Sequence, residues 1–194
     1  MHDPRAFNSW AVSYPTVARG GCHIAAPTYW LERGVTFPDL GFPDPLDRFD
    51  PEQKGLWTAV FQNFCEVLES MVTCKLSLYG GIRSQHCVDL ICLGTGWDMD
   101  LAEIMQIGER AINVKRLINL KLGFNRADDR LPARIRSLTF DRGGHRRLFT
   151  GARCGPHAGR LLSSQGLDPG GRSDPRKTGG ARLGRQIEAR RSEP

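Results

Sequence analysis

The chain has 194 residues, 40% of them apolar and 25% charged, which suits a soluble globular protein with one real core. Residues 1–136 carry 15 Lys/Arg against 16 Asp/Glu, whereas residues 137–194 carry 12 against 5, so the formal charge of +6 arises in the tail and nucleic-acid binding by a basic folded face is not expected. No apolar run approaches the ~18 residues of a membrane span, and the first residues lack the basic flank and apolar core of a secretory signal, so a reducing, cytoplasmic setting is expected.

In chain order, residues 1–50 are rich in Pro, Gly and aromatic residues and read as loop and turn with one short helix. Asp50 and Pro51 then suit the cap and first turn of a long helix. Along it Leu56, Val60, Phe61, Phe64, Val67, Leu68 and Met71 recur at three- and four-residue steps, which predicts one buried face fading near Cys74. A second helix is expected from about Ser84 to Leu93. Asp100 and Glu103 have capping-box spacing. They open a helix whose Ile104, Ile107, Ala111, Val114, Leu117 and Ile118 fall within one arc, with Lys121 at its end and Gly123 as its stop. Glu109, Asn113 and Arg116 lie on another side, which on an isolated helix reads as a solvated face. Residues 1–136 are therefore expected to be predominantly helical. Residues 137–194 hold 11 of the 22 glycines and 11 arginines, have no apolar periodicity, and read as a disordered basic tail.

The six cysteines stand at 22, 65, 74, 87, 92 and 154. Cys65, Cys87 and Cys92 read as core thiols on helices. Cys154 in "CGPH" lacks the second half of a zinc site. Taken alone, Cys74 reads as a core thiol at a helix end. Asp3 and Arg5 are expected to pair locally.

The stretch from Thr95 to Arg134 resembles the C-terminal part of the aldehyde ferredoxin oxidoreductase family. The resemblance is carried by Thr95, Gly96, Trp97 and Asp98, by Ile107, Gly108, Glu109, Arg110, Asn113, Arg116 and Asn119, and by Asp128, Asp129, Leu131, Pro132 and Arg134. "HDPRAF" (2–7), "RGGCH" (19–23) and "LESMVTC" (68–74) are similar to further family segments, so the resemblance covers about residues 1–136. It implies a mainly α fold, the C-terminal helical domains of the family, followed by the disordered tail. It also implies a tungsten- or molybdenum-bis-pterin centre and a [4Fe–4S] cluster, with an aldehyde as substrate and ferredoxin as electron acceptor.

By the same resemblance, "LESMVTC" stands where the family carries D-x-x-G-L-C, whose Cys ligates the cluster and whose Asp contacts the pterin. Cys74 then becomes a cluster ligand and Glu69 a pterin contact, although Glu replaces Asp and Val72-Thr73 replace Gly-Leu. His23 becomes the residue for acid–base work near the metal, the plainer reading being a hydrogen-bonded loop histidine. His2 could shape the substrate pocket. The polar side of the Asp100 helix is expected to pack against neighbouring cofactor-bearing domains, with Asp128, Asp129 and Arg134 holding the turn that follows.

The family's C-x2-C-x3-C triplet and its pterin-cradling N-terminal domain have no counterpart in this sequence. The chain is therefore expected to be a C-terminal fragment or the second half of a split gene. Alone, it is expected to hold neither cofactor and to be inactive; the alternatives are a non-catalytic helical module, or one half of an oxidoreductase that docks onto a separately encoded N-terminal part. In the tail, "LLSSQGLD" read one base later can encode a family-like YYRRKGW, which predicts a frameshift shortly after Arg134. An intact native frame in the locus would exclude it.

Overall fold

The computed structural model describes residues 2–50, 54–137, 139–142 and 145–148. They form α1 (Asn8–Thr16), α2 (Lys54–Ser70), α3 (Ser84–Thr95), α4 (Leu101–Lys121) and α5 (Ala133–Ser137). Short 3-10 segments stand at Thr28–Arg33, Pro38–Leu40, Lys75–Leu78 and Arg126–Asp128. The mainly helical expectation holds. Strands β1 (Thr139–Arg142) and β2 (His145–Leu148) pair antiparallel with Thr139 opposite Leu148. The tail expected to be disordered spans 137–194; the end of α5 and the paired strands β1 and β2 fall inside that range, and the rest of it, with the readings of Pro51 and Cys154, lies outside the described residues.

The interior is built around α2. Phe61, Phe64, Cys65 and Leu68 are fully buried and pack with Trp30, Leu31, Phe37, Phe42 and Leu78 from the flanking turns. A second cluster joins Trp10, Ala11 and Tyr14 of α1 to Leu131, and a third joins Val67, Val88 and Ile104 of α2, α3 and α4. Leu56 departs from the predicted stripe and is 46% exposed. Lys54 takes the inward position at this turn. Two residues on, about 200° around the helix, Leu56 points away.

The α4 cap is as predicted: Asp100 accepts from the Glu103 amide at 2.8 Å, and the Asp100 amide donates back to Glu103 at 3.1 Å. Gly123, φ +94°, follows its end in the left-handed region. The buried face of α4 coincides with the apolar arc only at Ile104. Ile104, Gly108, Asn113 and Arg116 are buried, while Val114 and Ile118 are 54% and 51% exposed. Two causes rotate the helix. A Cβ at residue 108 would lie 2.0 Å from the Asn63 carbonyl oxygen, so Gly108 lets the backbones of α4 and α2 meet. Arg116 finds an internal partner as well, donating from both terminal nitrogens to the Asp129 carboxylate at 2.8 Å each. The polar side expected to wait for neighbouring domains is thus partly consumed inside this unit. Asp128 and Asp129 hold the following turn as expected, Asp128 by accepting from the Asn125 amide at 2.8 Å.

Candidate functional site

Helix α2 ends in a Schellman arrangement: the Thr73 amide donates to the Leu68 carbonyl at 2.9 Å and the Val72 amide to the Glu69 carbonyl at 3.0 Å. The residue closing such an end sits in the left-handed region, where glycine is favoured. Here it is Val72, at φ +56°. The chain then turns outward, and Cys74 is exposed with a free thiol at the start of the Lys75–Leu78 turn. Its carbonyl accepts from the Ser77 amide at 3.0 Å.

Glu69, one helical turn before Val72 completes the bend, sits in a ring of cations. Its Oε1 accepts from Lys75 Nζ at 2.6 Å and from Arg19 at 3.2 Å, and its Oε2 accepts from Lys115 at 2.8 Å. Lys75 is 5% exposed and also donates to the Ala25 carbonyl at 2.8 Å. Lys115 bridges back to Glu66. Together these groups tie α2, α4, the 19–25 loop and the turn after Cys74. Arg19, Glu66, Glu69 and Lys115 line a cleft of about 320 Å³ whose wall also includes Val17, Ala25 and Ile118.

Partial burial opposes ionisation of Glu69, but the hydrogen bonds and charges of Lys115 and Lys75 outweigh it and hold the carboxyl at about 2. A carboxylate whose pKa falls on folding adds stability above its unfolded value near 4.5, and that stability disappears as pH falls toward 2. Glu69→Gln is therefore expected to flatten the acid limb of a stability–pH curve between about pH 4.5 and 2. The screening of a 30%-exposed side chain keeps the effect modest. Urea titrations at several pH values check it, and an unchanged slope would refute the pairing.

The loop of His23 brings it against His2, with ring centroids 5.5 Å apart and planes at 79°. His2 stacks on Trp10 at 4.6 Å and lies 5.4 Å from Tyr29, and its carbonyl accepts from the Tyr14 hydroxyl at 3.1 Å. Desolvation, then the neighbouring His23, pushes the His2 imidazole below its ordinary value. His23 is half-buried and His2 exposed. Asp3 and Arg5 pair as expected, the Arg5 Nε donating at 2.9 Å. Burial pushes the Cys65 thiol up to about 12 and the Cys87 thiol to about 11, which fits core thiols. Cys92 is half-buried on α3.

Among the described residues no group of three or more His, Cys, Asp or Glu side chains is disposed to hold a metal ion. Cys74 offers one accessible thiol, against the four thiolates that a cubane takes. It fits as a single ligand completed by other polypeptide. Glu69 fits a pterin less well, because three cations already hold its carboxylate and a pterin would have to share Oε2 with Lys115. Sequence reading missed Arg19, Lys75 and Lys115. The available signal was Glu66 and Glu69 at i, i+3 on an otherwise apolar helix, a pair that calls for cations. It also missed the buried Lys54–Glu32 pair, for which periodicity gives no signal.

A family model described as aldehyde ferredoxin oxidoreductase, domains 2 & 3, matches residues 1–172. The tungsten-containing aldehyde ferredoxin oxidoreductase of Pyrococcus furiosus is 35% identical over 138 residues, which cover 69% of this chain and 21% of that protein. Its namesakes in Thermococcus kodakarensis and Pyrococcus horikoshii are each 31% identical over 136 residues, again 69% of this chain and 21% of theirs. The chain thus spans about a fifth of the length of the curated relatives it matches. No helix among the described residues is long and apolar enough to cross a membrane.

Proposed function

The chain belongs to the aldehyde ferredoxin oxidoreductase family, and on that premise we propose that it supplies part of an enzyme that oxidises an aldehyde, with water, to a carboxylate. Two electrons leave through a [4Fe–4S] cluster to ferredoxin. A tungsten- or molybdenum-pterin centre, when bound, supplies the oxidation chemistry, and the protein supplies orientation and electrostatics. Cys74 contributes one cluster thiolate. His23 accepts a proton released in the oxidation, with the His2 ring beside it at 5.5 Å between centroids. The three remaining thiolates come from polypeptide that joins this chain.

The observation that carries this reading is the exposed Cys74 thiol, presented just past the end of α2 at the start of the Lys75–Leu78 turn. The half-exposed Val114 and Ile118, with Leu122 at 69% and Phe124 at 56%, give such a partner an apolar surface to cover.

The test is anaerobic purification of the full chain, alone and co-expressed with polypeptide bearing a C-x2-C-x3-C triplet. Iron, sulfide, the electron paramagnetic resonance of the reduced cluster and dye-linked aldehyde oxidation are measured. Alone, the chain is expected to carry no cluster and show no turnover. The complex is expected to show both, and Cys74→Ser to abolish both. Stoichiometric iron and sulfide on the isolated chain, or a Cys74→Ser complex indistinguishable from wild type, would overturn the reading. Co-purification without cluster or turnover would favour a non-catalytic docking module instead.

A further inference from the structure

The bend that presents Cys74 contains a local contradiction. Its left-handed position is occupied by Val72, a β-branched residue for which φ +56° is an outlier. Such a conformation persists only where the surroundings over-determine it. Nothing at Val72 itself does so, because its side chain is 93% exposed and no packing holds it. Two backbone hydrogen bonds close the bend, and side chains fasten it from both ends. On the near side stands Glu69, on the last turn of α2; on the far side stands Lys75, the residue after Cys74. Their side chains meet at 2.6 Å across the bend. Each is anchored elsewhere, Lys75 on the Ala25 carbonyl at 2.8 Å and Glu69 on Lys115 of α4 at 2.8 Å.

We propose that the Glu69–Lys75 pair, braced by Lys115 and Arg19, is a clamp that holds the strained Val72 bend closed and so positions Cys74. Glu69 is then a positioning residue that acts through the backbone, not a cofactor contact. The proposal rests on the reading of Cys74 as a cluster ligand only for its purpose; the clamp itself is a property of the chain. It also accounts for two departures from the family pattern together. A glycine at position 72 would take the left-handed conformation without strain. With valine there, the bend needs an external fastening. Glu is one methylene longer than Asp and reaches both Lys75 and Lys115.

Amide hydrogen exchange of the full chain tests this. The Val72 and Thr73 amides, which donate to Glu69 and Leu68 in the closed bend, report its opening. Glu69→Gln is expected to speed their exchange by about tenfold or more, the scale of releasing one strained residue. The Phe64 and Cys65 amides in the centre of α2 should change little. Val72→Gly removes the strain. In that background Glu69→Gln is expected to change the Thr73 amide by less than about threefold. A loss of general stability would accelerate the α2 centre too and would not be rescued by Val72→Gly. An equal Glu69→Gln effect in both backgrounds, or none in either, would overturn the clamp. Neither result depends on cluster assembly, so failure of the clamp and failure of Cys74 as a ligand are separately visible.

Discussion

Gly108→Ala is expected to destabilise the chain by about 2–4 kcal/mol, the upper range for overpacking a tight contact. Two effects oppose each other at this position. Alanine is the better helix former by roughly 1 kcal/mol, so on an exposed helix the substitution would stabilise. Here the new methyl carbon would lie 2.0 Å from the Asn63 carbonyl oxygen and 2.8 Å from its carbon. Both obstacles are backbone, so no rotamer change relieves the clash. The only relief is to move α4 off α2, which loosens Ile104 against Val67 and shifts Arg116 from Asp129 and Lys115 from Glu66 and Glu69. The clash therefore outweighs the propensity. Gly94, also helical, has no atom within 4 Å of its would-be Cβ. Gly94→Ala is expected to be neutral or to stabilise by up to about 1 kcal/mol. Urea denaturation of both variants checks the contrast. A lowered midpoint at unchanged slope is expected for Gly108→Ala alone, and a stabilised Gly108→Ala would show that the helices do not touch there.

The same contact explains where sequence reading worked and where it stopped. Helix α2 was legible because burial on it follows apolar periodicity: Phe61, Phe64, Val67 and Leu68 are inside, as their spacing demands. The α4 cap was legible because Asp100 and Glu103 act within four residues of each other. The buried face of α4 was not, because it is chosen by partners distant in sequence. Gly108 looks neutral in a periodicity plot, yet it draws the helix onto α2. Arg116 looks solvated until Asp129 is folded back beside it. The candidate site behaves alike. The turn at Cys74 could be anticipated from its motif, whereas the cations around Glu69 come from residues 19, 75 and 115. Nothing local announces that these three converge.

Lys54→Met is expected to cost about 3–5 kcal/mol, the penalty for leaving one member of a buried ion pair uncompensated. The Lys54 side chain is 1% exposed and that of Glu32 is 0%. Their atoms meet at 2.7 Å, and Lys54 also donates to the Asp47 carbonyl at 2.6 Å. Glu32 further accepts from the Ser9 amide at 3.1 Å and the Ser9 hydroxyl at 2.7 Å, so the pair joins the start of α1 to the first described turn of α2. Burial already lifts the Glu32 carboxyl above its ordinary value, with Lys54 and Ser9 pulling the other way. Without Lys54 the largest of the groups that pull it down is gone, and the carboxyl rises further. A group whose folded pKa is raised contributes stability at pH below its unfolded value of 4.5 and loses it as pH climbs through the folded one. The Lys54→Met variant should therefore weaken more steeply than wild type as pH rises above 4.5. Adding Glu32→Gln removes the stranded charge while an amide oxygen can still accept from Ser9, and is expected to recover about half of the loss at pH 7. A double variant no more stable than Lys54→Met, or a Lys54→Met loss below about 1 kcal/mol, would mean the pair is hydrated rather than buried.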